Sequence, residues 1–371
     1  MAKAKYKRYS DGYYRTRAWD GTYNPDGSKH RINLKSDKSS KDLERLVNEL
    51  KRKIEEGKAV QPTEWTFCEY ARQWLTTYKA VREHNTKAMY QNIIDTHLSA
   101  LGSVRLCDIS RIHLQLVINN ASEKPRTCQQ IMLTFKQIVE SAVLDKYLPE
   151  STLHIFDNVD TPRYTPPKKR PLTPEEIKAI RHADLSPMER TYVYILYGCG
   201  LRRGEVLGLQ PSDIRLKTSE LTIRRAVEFI GNNSSLKSTK SENGLRTVPM
   251  PPYLTAHLHT YLAELHSNYL IHTRDGSMMT KSGYRRMWER ILLKLNLAAG
   301  GTEHLWVIHG LTAHVFRHNY CTQLCYQIPA ISTKQIAKLM GDREEMVIKV
   351  YSHILEEKED VIGAVNAAIA L

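Results

Sequence analysis

The chain has 371 residues, 41% of them hydrophobic and 25% charged, and its 54 Lys and Arg against 40 Asp and Glu give a formal net charge of +14. This length allows two or three domains, and the positive charge favours a polyanionic partner, although ribosomal or membrane-surface binding would also fit. No apolar run is long enough to span a bilayer, and none follows the charged N-terminus, so we expect neither a membrane protein nor an exported one. The six cysteines are too scattered for a disulfide framework, so we expect a reducing cytosol.

Residues 1–58 are predicted to form a small α+β domain, a three-stranded sheet plus one helix. YYRTRAW (13–19) alternates aromatic and basic residues with period two, NPDG (24–27) marks a turn, and RINLKS (31–36) offers a second strand. Basic residues interleaved with aromatic rings favour a nucleic-acid-binding face, with an ordinary solvated sheet face as the alternative. The predicted contacts on this face are Arg15, Arg17, Arg31 and Lys35.

The apolar spacing after the hairpin is helical. Ser39 or Ser40 can cap a helix whose apolar stripe consists of Leu43, Leu46, Val47, Leu50 and Ile54. Residues 59–160 keep helical spacing throughout and predict an all-α bundle of about four helices. We interpret the methionine and aromatic stripes of this bundle as core.

DNVDTPRYTPPKKRPLTPEE (157–176) contains five prolines and a basic run, which is typical of an extended linker. We place the linker at 161–172 and a third domain, mainly helical α+β with a small β-sheet, at 173–371. Thr173, Pro174 and Glu176 form the capping-box start of its first helix. The basic run adds three predicted nucleic-acid contacts, Lys168, Lys169 and Arg170.

GCGLRRGEVLGL (198–209) is glycine-rich but does not fit a nucleotide-binding loop. The third glycine of GxGxxG would fall at Arg203, and the chain has no GxxxxGK[ST], so we predict no cofactor of this kind. The segment instead predicts a short turn into a helix that starts with Arg202 and Arg203, for which a surface arginine pair is the alternative. LKSTKSENGLRTVPM (236–250) predicts a lysine-rich hairpin between the strands LTIRRAV (221–227) and RTVPM.

HVFRHNYCTQLC (314–325) concentrates histidines, cysteines and an arginine. Its His and Cys residues fall on one stripe of a helix, which cannot wrap a metal ion, and neither HExxH nor CxxC occurs, so we predict no metal site. We interpret Cys321 and Cys325 as the apolar face of a buried helix. Arg317, between the two histidines, is then unexplained unless the helix meets an anion.

Four segments in this order resemble the tyrosine site-specific recombinases, most closely the integrases of bacteriophages and conjugative transposons. The resemblance places the family's first catalytic arginine at Arg202 and its hairpin lysine at Lys240, with Lys237 as the alternative. QIAKLMGDREEMVIKVYSHI (335–354) resembles the segment that holds the nucleophile, which falls on Tyr351. HVFRH resembles the HxxRH box and gives His314, Arg317 and the trailing His318.

Phosphodiester exchange explains these residue types chemically. Arg202 and Arg317 can bind a phosphate bidentately and stabilise the charge that builds on its nonbridging oxygens. Attack by Tyr351 leaves a 3′-phosphotyrosyl bond and expels a 5′-hydroxyl. Lys240 is the natural general acid for that leaving oxygen.

One position departs from the family pattern. The family usually has His or Trp nine residues before the tyrosine, whereas Asp342 stands here. A carboxylate directly against a phosphodiester would be repelled. We therefore expect Asp342 to orient the site by accepting a hydrogen bond from His318, Arg317 or a backbone amide.

The resemblance implies a site-specific recombinase that integrates and excises a mobile element in the cytoplasm of a bacterial host. It implies an arm-type DNA-binding domain at 1–58, a core-binding domain at 59–160 and a catalytic domain at 173–371. The implied partners are double-stranded DNA with core and arm sites, further copies of the chain in a homotetramer, and an accessory directionality or DNA-bending protein. The tetramer would use the apolar stripe of the C-terminal tail, Val361, Ile362, Val365 and Ile369, for which packing on its own domain is the alternative. A type IB topoisomerase-like enzyme and a non-catalytic DNA-binding regulator are the alternatives.

Overall fold

The computed structural model describes residues 4–23, 28–55, 60–61, 63–166, 170–238 and 244–358. The chain divides into two compact units, Met1–Pro166 and Pro167–Leu371. The division falls inside the segment predicted as a linker, and the further separation of 1–58 from 59–160 stays a prediction. Within the described ranges, no helix combines the length and apolar character needed to cross a membrane.

The first unit begins with an antiparallel hairpin of β1 (Tyr14–Tyr23) and β2 (Lys29–Ser36), followed by α1 (Ser40–Glu55). Helix α1 packs against both strands and buries Leu43 and Val47. The backbone N–H of Asp42 donates to Ser39 Oγ at 3.1 Å. Ser39 is therefore the cap, which confirms one of the two predicted serines.

The predicted three-stranded sheet is wrong for the described residues, which contain two strands at this position. The segment before β1 contributes a single bridge between Arg8 and Tyr14. Before this bridge the chain is held against α1 instead, because the N–H of Tyr6 donates to Ser40 Oγ at 3.0 Å and Lys5 Nζ donates to Glu44 at 2.9 Å. These contacts with α1 replace a third strand in the described residues.

The rest of the first unit is helical, as its periodicity predicts. Its α-helices are α2 (Phe67–Tyr78), α3 (His84–Asn92), α4 (Arg111–Asn120) and α5 (Pro125–Leu144). A capping box between Thr66 and Glu69 starts α2, and α3 continues into a π-helical turn. The rings of Phe67 and Phe135 stack at 4.6 Å between centroids within a core shared by these helices.

The second unit combines helices with short strands. Its helices are α6 (Pro174–His182), α7 (Pro187–Cys199), α8 (Arg203–Leu207), α9 (Pro252–Ala263), α10 (Lys281–Ala298), α11 (Ala313–Cys325), α12 (Thr333–Met340) and α13 (Glu344–Lys358). Its strands are β3 (Ile214–Arg215), β4 (Glu220–Ile223), β5 (Arg225–Ile230), β6 (Asn233–Ser238) and β7 (Arg246–Pro249). The capping box of Thr173 and Glu176 begins α6, as predicted.

The strands form two small sheets among the described residues, one of β3, β4 and β7 and one of β5 and β6. The segment predicted as one strand, LTIRRAV, is divided between β4 and β5 at Arg224. Strand β4 pairs with β7, and Leu221 lies opposite Val248. Residues 239–243, between β6 and β7, lie outside the described residues.

Helix α11 contributes to both hydrophobic cores of the second unit. Phe316 belongs to the larger core, which α6 to α10 share with strands β4, β5 and β7. Cys321 and Cys325 are buried in the smaller core between α11, α12 and α13, as their apolar role predicts. Arg317 follows Phe316 directly, so its backbone is fixed by packing on both sides.

Candidate active site

Close packing explains the glycines before the first arginine. Helix α7 ends at Gly200, which has a left-handed backbone with φ of 63° and whose added Cβ would clash with the Tyr320 ring. A Cβ at Gly198 would lie 2.5 Å from the Tyr253 hydroxyl. These glycines permit a sharp turn into α8 and leave Arg202 as the residue that caps that helix.

Arg202 is held by a buried carboxylate. Its backbone N–H and its Nη1 donate to the two oxygens of Glu205 at 2.8 and 3.1 Å. Glu205 also accepts two hydrogen bonds from Arg246, at 3.1 and 2.8 Å. Burial alone would raise the pKa of Glu205, but the hydrogen bonds and charge of Arg246 outweigh it and lower that pKa. Glu205 is therefore charged at neutral pH.

Arg317 is a buried cation, with only 3% of its side chain exposed. Its Nη1 donates to the Gly200 carbonyl at 2.9 Å, and its Nη2 donates to the Met340 carbonyl at 2.7 Å and to Asp342 Oδ2 at 2.8 Å. Burial and the charge of Arg202 lower the pKa of Arg317, whereas Asp342 raises it. The guanidinium is thus anchored on three sides.

Three arginine side chains donate hydrogen bonds to the backbone of residues 339–342, which we call the arginine-bound turn. Arg246 Nε donates to the Leu339 carbonyl at 2.9 Å, Arg317 donates to the Met340 carbonyl, and Arg202 Nη2 donates to the Gly341 carbonyl at 3.1 Å. These carbonyls belong to the C-terminal end of α12, the negative end of the helix dipole. Asp342 completes the turn, because Arg202 Nη2 lies 3.2 Å and Arg317 Nη2 2.8 Å from its Oδ2.

The structure therefore brings Arg202 and Arg317 together at Asp342, and Arg317 is one of the three donors that the sequence offered for Asp342. His314 is exposed in the first turn of α11, and His318 is half-buried with its Nδ1 3.4 Å from Thr322 Oγ1.

Tyr351 is carried by α13, which begins two residues after Asp342. Its half-buried side chain packs against the small core of α11, α12 and α13. The sequence segment of the expected nucleophile is thus connected directly to the arginine-bound turn.

Several predicted residues lie apart from this cluster or outside the described residues. Lys240, Lys168 and Lys169 are outside the described residues, as is the tail stripe from Val361 to Ile369. The alternative lysine, Lys237, is on β6 opposite Ala226. Arg170 forms a two-pronged ion pair with the buried Glu176, both contacts at 2.7 Å, and donates to the His309 carbonyl at 2.9 Å.

The four basic residues predicted on the hairpin share one exposed face. Arg15 is opposite Lys35, and Arg31 is opposite Trp19, in the register of β1 and β2. Arg17 is two positions after Arg15 and therefore lies on the same face of β1, where it donates to Asn33 at 3.1 Å. Lys35 Nζ lies 5.2 Å from the centroid of the Tyr13 ring. Cations and aromatic rings therefore lie side by side on the face away from α1.

Sequence reasoning missed the structural role of Arg246, which it included only as the first residue of the predicted strand RTVPM. A signal was present: Arg246 has the same strand parity as Val248, and both are buried. A charged residue on the buried parity of a strand needs a buried partner. Here that partner is Glu205.

Arg246→Ala is expected to lower the free energy of unfolding by about 3 kcal/mol or more. The change removes two hydrogen bonds from the buried Glu205 carboxylate and one from the Leu339 carbonyl. Urea denaturation measures the loss. Arg215→Ala is the control, because its contact with Glu220 is exposed and 3.7 Å long, and a loss of equal size there would contradict the prediction.

Comparison with known proteins identifies the family. The phage integrase family matches residues 170–358, and the phage integrase N-terminal SAM-like domain matches residues 66–121. A tyrosine recombinase XerC-like protein of Caldanaerobacter subterraneus subsp. tengcongensis is 24% identical over 370 residues, covering 89% of this chain and 90% of that protein. The integrase of Mycobacterium phage L5 is 24% identical over 240 residues, covering 62% of this chain and 63% of that protein.

Solved structures share the fold. The Tn1549 transposon integrase in complex with a circular intermediate DNA has a TM-score of 0.64 at 20% identity, covering 77% of this chain and 94% of that chain. A lambda integrase tetramer bound to a Holliday junction has a TM-score of 0.57 at 15% identity, covering 93% of each chain. The topoisomerase-like and non-catalytic alternatives are not favoured by these comparisons. Since the family match covers more than half of the chain, this protein belongs to the phage integrase family, the tyrosine recombinases that carry out site-specific DNA recombination.

Proposed function

We propose that this chain integrates and excises a mobile DNA element by cutting DNA strands with Tyr351 and rejoining them in a new combination. The observation that carries the proposal is the convergence of Arg202 and Arg317 on one carboxylate oxygen, at 3.2 and 2.8 Å. Two guanidinium groups from distant parts of the chain that meet at a single oxygen form a site for an anion. A scissile phosphate in this site would be contacted by both guanidinium groups.

The proposed reaction is a pair of transesterifications. The Tyr351 hydroxyl gives up its proton to solvent as its Oη attacks the phosphorus, the bond to the 5′ oxygen breaks, and that oxygen takes up one proton and leaves as a 5′-hydroxyl. Arg202 and Arg317 stabilise the charge on the nonbridging oxygens. His314, one turn before Arg317 and near the N-terminus of α11, is proposed to contact the same phosphate. Lys240 is proposed as the proton donor to the leaving oxygen.

The reverse reaction rejoins DNA. A 5′-hydroxyl from another strand attacks the 3′-phosphotyrosyl bond, which restores a phosphodiester and releases the Tyr351 hydroxyl. Because one diester replaces another in each step, the bond energy is retained and no nucleotide hydrolysis is required.

The proposed partners are double-stranded DNA and further copies of the chain. We assign core-site binding to residues 59–160, arm-site binding to residues 1–58 and catalysis to residues 173–371. The lambda integrase tetramer on a Holliday junction supports a tetramer on two DNA sites, to which the tail beyond residue 358 would contribute. A further proposed partner is an accessory protein that bends the DNA or sets the direction of recombination.

A nicked duplex tests the function. Cleavage close to a nick releases a short fragment, so rejoining fails and a covalent protein–DNA adduct accumulates on a denaturing gel. The duplex is one that the protein itself selects from a random-sequence pool. We expect mass spectrometry of the digested adduct to locate the phosphate on Tyr351. An adduct on a different residue, or none at all, would refute the proposed function.

The hairpin face gives a separate prediction. If Arg17 and Arg31 contact phosphates, Arg17→Ala or Arg31→Ala should reduce the slope of log Kobs against log salt by about one, because each phosphate contact releases about one counterion. Fluorescence anisotropy with full attachment-site DNA measures the slope. Lys51→Ala removes the same charge from an exposed position on α1 and serves as the control. Identical slopes for all these proteins would exclude the hairpin face from the DNA interface.

A further inference from the structure

Asp342 occupies the point where the two arginines meet. Its Oδ2 lies 2.8 Å from Arg317 Nη2 and 3.2 Å from Arg202 Nη2. The exposed fraction of the side chain rises from 3% for Arg317 to 30% for Asp342 and 44% for Arg202. The carboxylate thus lies between a buried cation and one that solvent reaches.

The charges of this cluster favour an ionised carboxylate. Partial burial alone would raise the pKa of Asp342, but the hydrogen bond and charge of Arg317, together with the charge of Arg202, outweigh it and lower that pKa. Without Asp342 the two guanidinium groups would face each other, and the charge of Arg202 already lowers the pKa of Arg317. The carboxylate offsets this repulsion.

We propose that Asp342 is the internal counter-ion of the arginine pair: it holds Arg202 and Arg317 at one point before DNA arrives, and the scissile phosphate then replaces it on Arg202. Asp342 is a positioning residue in this scheme, and the inference rests on the proposed function of the same site. The phosphate takes over a place that is already formed, so the arginines need little rearrangement when it binds.

The geometry decides which contact the phosphate replaces. Arg317 has further anchors in the Gly200 and Met340 carbonyls and is closed to solvent. Arg202 is the accessible partner, and its contact with Asp342 is the longer one. Its bonds to Glu205 and to the Gly341 carbonyl remain when that contact opens. Asp342 therefore stays on Arg317 Nη2 while Arg202 turns to the phosphate. Two N–H groups of Arg317, one on Nη1 and one on Nε, take part in none of its three bonds and are the donors that Arg317 offers to the same phosphate.

Removal of the Asp342 charge should have opposite effects on phosphate binding and on DNA cleavage. The described cluster contains three arginines and two carboxylates, a net formal charge of +1, and loss of the Asp342 charge leaves +2. Anion binding should then become tighter. Cleavage should become slower, because Arg317 loses the charged acceptor that orients it toward the phosphate. Substitution of a residue with a purely structural role would weaken phosphate binding and slow cleavage as well.

The Asp342→Asn variant tests the proposal because it keeps the shape and one acceptor oxygen. Calorimetric titration with inorganic phosphate at low salt should show binding about fivefold tighter than in the wild type. Single-turnover cleavage of the nicked duplex at saturating protein should be slower by about tenfold or less. Glu344→Gln removes the same charge from an exposed neighbour that accepts from Thr333 at 2.6 Å, and we expect it to change neither quantity by more than about twofold.

Phosphate binding that is unchanged or weaker in Asp342→Asn would overturn the counter-ion role. Faster cleavage would show an inhibitory residue rather than a positioning one, and cleavage as slow as that of Arg317→Ala would show that the carboxylate itself takes part in the reaction. Asp342→Ser is the second variant if the amide lowers the melting temperature. A wild type that forms no adduct defeats the proposed function, while the phosphate titration still reports on the counter-ion.

Discussion

Tyr351→Phe is expected to abolish the covalent DNA adduct while leaving folding and DNA binding unchanged. Phenylalanine keeps the ring that packs on the core of α11, α12 and α13 and removes only the hydroxyl that would attack. Loss of a nucleophile can cost on the order of 10⁶ in rate, so no adduct should accumulate. The nicked-duplex assay measures the adduct, and circular dichroism and anisotropy measure folding and binding.

A matched tyrosine controls for the chemistry of the substitution. Tyr326 lies at the C-terminal end of α11 and is 41% exposed. Tyr326→Phe removes an equivalent hydroxyl from the end of a helix that shares this small core, and we expect full adduct formation. If Tyr351→Phe still forms the adduct, the nucleophile is another residue and the assignment from the sequence segment is wrong.

Local patterns account for what the sequence predicted well. Helical spacing placed Arg317 and both histidines on one helix, and the structure has them on α11. The capping box at Thr173 and the cap at Ser39 depend on residues within three positions of each other. Such features are fixed by neighbouring side chains and backbone amides, so a single sequence contains them.

Contacts between distant segments could not be predicted from local sequence patterns. Arg202 and Gly341 are 139 positions apart, and Arg246 and Leu339 are 93 apart. Their hydrogen bonds depend on how the β4–β7 sheet, α8 and α12 pack, which periodicity does not describe. The sequence could suggest that Asp342 accepts a hydrogen bond from Arg317, but not that one of its oxygens also meets Arg202. The missing third strand is another example, because Lys5 and Tyr6 bond to side chains of α1 that lie 39 and 34 positions further along the chain.

Arg317→Ala is expected to slow single-turnover cleavage by on the order of 10² to 10³, the usual effect of removing one preorganised donor to a developing charge. It should also destabilise the fold. The buried guanidinium satisfies the Gly200 and Met340 carbonyls and Asp342, and each buried acceptor left without its partner costs about 1–3 kcal/mol. Urea denaturation and cleavage by the folded fraction separate the two effects.

Arg202→Ala provides the comparison that distinguishes chemistry from stability. Its side chain is 44% exposed, so we expect a similar loss of cleavage rate with a much smaller loss of stability. Arg317→Lys should recover part of the stability but little of the rate, because an ammonium group cannot reach the two carbonyls and the phosphate with a planar fork. Full cleavage by Arg317→Lys would show that charge alone is sufficient at this position. Equal destabilisation by Arg202→Ala and Arg317→Ala would show that burial does not separate the two arginines, and the proposed division, in which Arg317 is fixed and Arg202 opens to the phosphate, would then fail.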